Sequence, residues 1–477
     1  MLSLRSGLHF GRNDENMENN NISRKDFLKV VGATTAVSAI ALSGCKSETY
    51  DKETTYSLGD IPKDKMTYRI NHNTNDHVSI LGYGMMRLPF KDDAIDQEMV
   101  NKLVDYAMEH GVNYYDTSPV YCRGNSEAAT GIALSRHPRD KYFLATKLSN
   151  FAPQFWSREA SIKMYRDSFE KLQTDYFDYY LLHSVGNGSK GASGWDTFQK
   201  RYIENGMIDF VQEERKAGRI RNLGFSFHGD QRVIEWLLDN HDKYHWDFVQ
   251  IEMNYIDWEH AHDVDEDNVN ADYLYKRLTD LNIPVVIMEP LLGGRLANLP
   301  DVLANTLKQR TPQASVASWA FRFVGTYPNV LTVLSGMTYM EHLQDNLRTY
   351  CPLNPCTDEE LKLLMEIANE YLKHPLIPCT ACQYCMPCPY GIDIPTNFGF
   401  YNKCVNEGSI IEDSQSKDYR KARRRFLIEY NRTLEADRQV EHCIGCNQCV
   451  SHCPQHINIP EQLTRINIIV EKLKTTI

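Results

Sequence analysis

No stretch of this sequence is both apolar and long enough for an ordinary membrane span. The uncharged run near the N-terminus, Val30 to Gly44, stops short of the ~20 residues that a spanning helix needs. Basic charge is also scarce: 52 Lys and Arg stand against 63 Asp and Glu, a formal charge of −11. That balance argues against nucleic acid or an anionic membrane as partner, since either needs a concentrated basic face. The short basic cluster Lys421, Arg423, Arg424 and Arg425 is flanked by acidic residues and reads as a solvated helix face. No Gly-x-Gly-x-x-Gly opens a helix after a strand-like run, which removes the usual mark of a doubly wound dinucleotide-binding sheet; Gly82-Tyr83-Gly84 alone is weak evidence. Nor is there a flavin fingerprint. Cysteines are sparse over most of the chain, yet eight of the 13 fall in two tight clusters after residue 378. Such packing at C-x-x-C spacing fits metal ligation better than the disulfide framework of a small secreted domain.

At the N-terminus Arg24, Lys25 and Lys29 precede the small-residue run, which closes in Leu42-Ser43-Gly44-Cys45. A basic segment followed by a short apolar one predicts an export signal over residues 1–45. The ending is similar to a bacterial lipobox, which would make Cys45 a lipid anchor and the only tie to a membrane. Ser23 to Lys29 resembles a twin-arginine signal with Lys25 in place of the second arginine. The expected location is the periplasmic side, with a cytoplasmic protein bearing a plain tail as the alternative. Residues 46–65 are polar and read as a tether.

From 66 to 350, apolar runs of strand length alternate with longer amphipathic stretches. Strands are predicted at 80–82, 113–116, 143–146, 179–182, 223–225, 248–251, 284–287 and 331–334. Helical patterns fall between them, as at 98–110, 162–172, 206–217 and 313–324. Gly111 and Gly218 sit where helices tend to stop. Eight such repeats predict an α/β fold, a (β/α)8 TIM barrel, with a doubly wound sheet as runner-up. Residues 351–477 are expected to form a smaller, mainly helical domain.

Polar residues stand at the predicted C-terminal strand ends, where a TIM barrel carries its chemistry: Asp116, Lys147 and His183, with Tyr121 in the loop after Asp116. Singly, each is an ion pair, a surface tyrosine or a satisfied core histidine. Together, at successive strand ends, they form a catalytic constellation. Here the motifs Gly82 to Pro89, Tyr115-Asp116-Thr117-Ser118-Pro119-Val120-Tyr121, Thr146-Lys147, Asp178 to His183 and Gly218 to Ser226 resemble, in order, those of the aldo/keto reductase family. The resemblance implies an oxidoreductase moving hydride between NAD(P)H and a small carbonyl or alcohol. It assigns Tyr121 as general acid, Lys147 as its tuner, Asp116 as counter-ion to Lys147, and His183 as the group orienting the carbonyl. The residue types suit the chemistry: reduction leaves negative charge on oxygen, so a proton donor and positive potential are needed there. A phenol of pKa about 10 is a poor acid unless a nearby ammonium lowers that value.

For the nicotinamide cofactor, NADP or NAD, the resemblance places Ser226 and Gln250 at the carboxamide. Met85, Gly293, Ser335, Gly336 and Asn346 would line the rest of the dinucleotide. NADPH-preferring members grip the 2′-phosphate with a lysine and an arginine; Gly336 and His342 stand here instead, and Phe227 replaces an expected asparagine beside Ser226.

Cys443-x2-Cys446-x2-Cys449-x3-Cys453-Pro454 matches the ferredoxin run for a [4Fe–4S] cluster. Cys379-x2-Cys382-x2-Cys385-x2-Cys388-Pro389 has one residue fewer before its last cysteine. The tails Ile392-Asp393-Ile394-Pro395 and Ile457-Asn458-Ile459-Pro460 echo each other, which predicts a duplicated, dicluster unit with a helical insert. By analogy, the fourth cysteine of each run would ligate the other cluster; zinc is the competing metal. Cys122, Cys351, Cys356 and Cys404 read as small hydrophobes, and Cys122, next to Tyr121, is expected near the substrate mouth.

The two halves raise a question of electron count. Nicotinamide moves two electrons as hydride, whereas iron–sulfur clusters move one at a time. The clusters are then braces, a relay to an electron-transfer partner protein, or the working part of a barrel kept as scaffold without carbonyl reductase activity. The intact tetrad favours the reductase.

Overall fold

The computed structural model describes residues 60–189, 191–264, 267–410, 416–453 and 455–475. The expected export signal, Cys45 and all of the tether before residue 60 lie outside the described residues. Among those described, no helix is long and apolar enough to cross a membrane.

The antiparallel hairpin β1 (Tyr68–Asn71) and β2 (Asp76–Ser79) leads into β3 (Leu81–Gly84), the first barrel strand. A small hairpin, β4 (Phe90–Lys91) and β5 (Ala94–Ile95), follows. The other seven barrel strands are β6 (Tyr114–Asp116), β7 (Phe143–Leu148), β8 (Phe177–Val185), β9 (Ile220–Phe227), β10 (Phe248–Glu252), β11 (Val285–Met288) and β12 (Val330–Ser335). All eight pair in parallel and in sequence, and β12 returns to β3 to close the barrel. Each predicted strand is present. All nine residues of β8 are buried, because a parallel strand in a barrel has packed layers on both faces.

Side-chain alternation positions the site. Tyr114, Ala145, Tyr179 and Phe248 belong to the cluster that fills the barrel axis. Residues two or four further on share their inward face but lie at the C-terminal end: Asp116, Lys147, His183 and Gln250. At the opposite end the hairpin closes the barrel. The Tyr179 hydroxyl donates to Asp76 (3.0 Å), and Asn71 donates to Tyr179 and to Asn222 (both 3.2 Å).

The helix Asp358–Tyr371 begins with a full capping box at Thr357 and Glu360. Its residues Leu364, Ile367 and Tyr371 are part of the barrel's own core, which therefore reaches one helix beyond the boundary expected at Tyr350. A second core starts at Ile377 and gathers Phe398, Tyr401, Phe426, Tyr430, Leu463 and Ile466. It is built from the helices Ile394–Asn406, Tyr419–Thr433 and Ile459–Thr475. The two echoed tails each start a helix, at Ile394 and Ile459; Asp393 caps the first by accepting from the Thr396 amide (3.2 Å). Barrel and helical domain form one compact unit from Asp60 onward.

Candidate active site

Asp116, Tyr121, Lys147 and His183 come together at the C-terminal mouth, all buried. Lys147 donates a short hydrogen bond to Asp116 and another to the Thr117 carbonyl (2.8 Å). Burial pushes the Asp116 carboxyl up and the Lys147 ammonium down, each resisted by the other's charge. Asp116 Oδ2 has no hydrogen-bond partner.

The ammonium stands 5.0 Å from the centre of the Tyr121 ring. The expectation that Lys147 lowers the phenol's pKa is not met. Burial drives that pKa well above 10, helped by Asp116, Tyr384 and Glu289. The physical reason is that Asp116 already balances the lysine's charge, so little is left to offset desolvation. Tyr121 therefore keeps its proton at neutral pH, as a donor must.

His183 is held neutral: burial, then the positive charges of Lys147 and Arg201, push its pKa well below 6.5. Its Nδ1 meets the Ser149 hydroxyl at 2.5 Å and the Ser118 hydroxyl at 3.4 Å. Its ring stands edge to face with Tyr121 (5.7 Å between centres) and its carbonyl accepts from Arg201 (2.7 Å). Nothing in the sequence links those two serines and Arg201 to His183, because they reach it from the loops after β6 and β7 and from the helical turn Gln199–Ile203.

The residues expected to hold a dinucleotide divide into two groups. Ser226 is buried and accepts from the Ser184 amide (2.7 Å). Gln250 donates to the Met288 sulfur (3.2 Å), while its Oε1 is buried with no partner and is able to accept from a carboxamide. The nicotinamide end thus fits. The phosphate end does not. A Cβ on Gly293, at φ +70°, would lie 2.3 Å from the Thr380 Cα, so the first cysteine run presses directly on that backbone. A Cβ on Gly336 would lie 3.0 Å from Arg87, whose guanidinium donates to the carbonyls of Thr380 and Ala381 (3.3 Å to the latter). Ser335 accepts from Asn346 (2.8 Å), so these two satisfy each other. Met85 is also committed elsewhere: its side chain is in the core and its carbonyl accepts from Ser126 (2.7 Å). Arg87 and Tyr384, which sequence reasoning passed over, sit inside quoted motifs. Only the fold shows that they meet.

The cysteine runs cross. Cys379, Cys382 and Cys385 share a small void with Cys453, walled by Ile394, Phe398 and Ile459. Cys449 lies beside Cys388, Cys443 and Cys446. Each four-thiol set takes three members from one run and the last from the other. Among the described residues no three Cys, His, Asp or Glu side chains converge as ligands of a single ion do. Four thiols around a void suit a larger iron–sulfide cube instead. The first set would hold the inner cluster. The second would hold an outer one, with Cys446 exposed.

Between the barrel mouth and the helical domain lies a cavity of about 1600 Å³. Tyr121, Cys122 and Phe151 line it from the barrel, and Cys382, Tyr384 and Cys453 from the cysteine runs. The segment after β8 contributes Gly186 to Ser189 and Gly191 to Gly194.

Comparison with known proteins bears on the family and the fold. Residues 80–369 match the model of the aldo/keto reductase family, and residues 378–458 match that of the 4Fe-4S dicluster domain. The chain is 25% identical over 315 residues to the uncharacterized oxidoreductase YqkF of Bacillus subtilis, covering 60% of this chain and 92% of that one. To L-galactose dehydrogenase of Arabidopsis thaliana it is 33% identical over 165 residues, 34% of this chain and 49% of that protein. The solved aldo-keto reductase AKR11C1 from Bacillus halodurans, in its holo form, superposes with a TM-score of 0.51 at 23% identity. That likeness covers 63% of this chain and 96% of the other, and it concerns the fold. With more than half of its length matched to one family model, the chain belongs to the aldo/keto reductase family and is an oxidoreductase with a C-terminal 4Fe-4S dicluster domain.

Proposed function

We propose that this oxidoreductase interconverts a small carbonyl and an alcohol in the cavity above Tyr121. The observation that carries the reading is the convergence of a neutral imidazole and a buried Lys147–Asp116 pair on the protonated phenol of Tyr121, which lines that cavity. Tyr121 gives its proton to the developing alkoxide. His183, unable to act as an acid while neutral, orients the carbonyl oxygen, and the Ser149 and Ser118 hydroxyls fix its ring. Lys147 supplies positive potential that burial strengthens.

The resemblance implies NAD(P)(H) as hydride carrier, and the free Gln250 Oε1 supports its nicotinamide end. With Thr380 on Gly293, a dinucleotide lies along the expected path only after that segment is displaced. Cys379, Cys382, Cys385 and Cys453 would hold one four-iron cluster, and Cys388, Cys443, Cys446 and Cys449 a second; such clusters supply single electrons. A barrel retained as bare scaffold is the weaker reading, because it leaves the tetrad without a role. Export to the periplasmic side, with Cys45 as lipid anchor, is proposed on the N-terminal sequence alone.

The test is Tyr121→Phe in the iron-loaded protein, assayed on aldehydes and α-dicarbonyls with NADPH, NADH or photoreduction as electron source. Turnover is expected to fall by about 10²–10⁴-fold, the usual worth of a general acid, with the visible cluster spectrum unchanged. Turnover that survives the substitution defeats the reading.

A further inference from the structure

The first cysteine run stands where two paths meet. Thr380, almost fully buried, covers Gly293, and Arg87 holds it there through the Thr380 and Ala381 carbonyls. On either side of these two residues, Cys379 and Cys382 belong to the inner four-thiol set. Two members of that set, Cys382 and Cys453, also line the cavity that contains Tyr121. Tyr384 fills the interval: it interacts with Cys382 on one side and lies within electrostatic reach of Tyr121 and Cys122 on the other. The outer set opens to solvent at Cys446, beside Ile444, whose side chain is largely exposed.

We infer that the redox equivalents used at Tyr121 arrive through the inner four-cysteine set, and not along the dinucleotide groove, which the Thr380–Ala381 segment fills. This rests on the carbonyl–alcohol reading of the same cavity and names its electron source. The exposed Cys446 edge is then the face for a partner: a low-potential, one-electron carrier protein. For each carbonyl reduced, two such carriers are oxidised. The carbonyl π bond breaks, Tyr121 supplies the proton of the new O–H bond, and a solvent-derived proton completes the new C–H bond.

Single-electron supply also narrows the substrate. An isolated carbonyl takes one electron only at potentials far below the range of protein iron–sulfur clusters. A carbonyl conjugated with a second carbonyl or with an aromatic ring accepts electrons singly. The cavity has room for such a molecule, and Phe151, Tyr121 and Tyr384 offer aromatic faces for it.

The experiment uses the iron-loaded full chain under anaerobic conditions, with benzil as probe. NADPH and NADH are titrated first, following nicotinamide fluorescence and cluster absorbance. Photoreduced protein is then mixed with benzil, and the return of the oxidised cluster spectrum is timed in wild type and Tyr121→Phe. The inference expects no saturable dinucleotide binding. It also expects reoxidation by benzil that slows about 100-fold or more in Tyr121→Phe, with the resting and reduced cluster spectra unaltered. Saturable NADPH or NADH binding that drives Tyr121-dependent benzil reduction, with the clusters spectrally silent, overturns this inference and leaves the carbonyl reading standing. Benzil reduction that ignores Tyr121→Phe, or none from any donor, overturns both.

Discussion

Lys147 and Asp116 illustrate what a buried ion pair demands. Their mutual attraction offsets desolvation only while both are present, and neither side chain has appreciable access to water. Lys147→Met is therefore expected to destabilise the protein by about 3–5 kcal/mol, since Asp116 is left charged and unpaired. The urea midpoint of the iron-loaded protein measures this, and adding Asp116→Leu should recover most of the loss. His183 makes a pH prediction. Its folded pKa lies well below the ordinary 6.5, so as pH falls through 6.5 the unfolded chain takes up a proton that the folded chain refuses. Stability from this group is complete above that pH and is lost below it, by at most about 1.4 kcal/mol per pH unit. Urea midpoints between pH 7.5 and 5.5 should fall more steeply in wild type than in His183→Gln. The sequence identified all three residues because a polar group at a strand end, in step with the barrel-facing positions, is a local pattern. It pointed the wrong way on the phenol's pKa, which depends on what else is packed nearby.

Among elements, the segment from Cys379 to Cys385 and the turn Met85–Arg87 after β3 act together. Arg87 is pinned from both ends: its carbonyl accepts from Thr338 (2.8 Å) and its guanidinium donates to the cysteine run. Arg87→Ala removes charge-assisted bonds of roughly 1.5–3 kcal/mol each from the segment over Gly293. Saturable NADPH binding, read by nicotinamide fluorescence and absent from the wild type, is expected to appear as that segment loosens. Unchanged binding would mean that the segment is not what closes the groove. The motifs containing Arg87 and Thr380 were both visible in the chain. Their contact joins residues almost three hundred positions apart, and no periodicity or spacing encodes such a pairing.

For the whole molecule, the crossed thiol sets tie the two cysteine runs into one unit across the intervening helices. Cys453→Ser should therefore damage the cluster of the first run, although Cys453 belongs to the second in sequence. About half of the iron is expected to be lost, with one of two electron paramagnetic resonance signals removed. If the surviving signal is instead that of the first run's cluster, each run keeps its own metal and the crossing is wrong.

The sequence by itself determined the barrel, its strand order, the tetrad and the two cysteine runs. These follow from local alternation, from helix stops and from ligand spacing, all of which act within a few residues. Only the tertiary structure decided that two thiols of the inner set, Cys382 and Cys453, line the cavity that contains Tyr121 and that Thr380 lies on the expected phosphate path. That placement comes from the docking of one hydrophobic core against the mouth of another. It is set by shape and burial between distant segments, and these are quantities that no single stretch of chain contains.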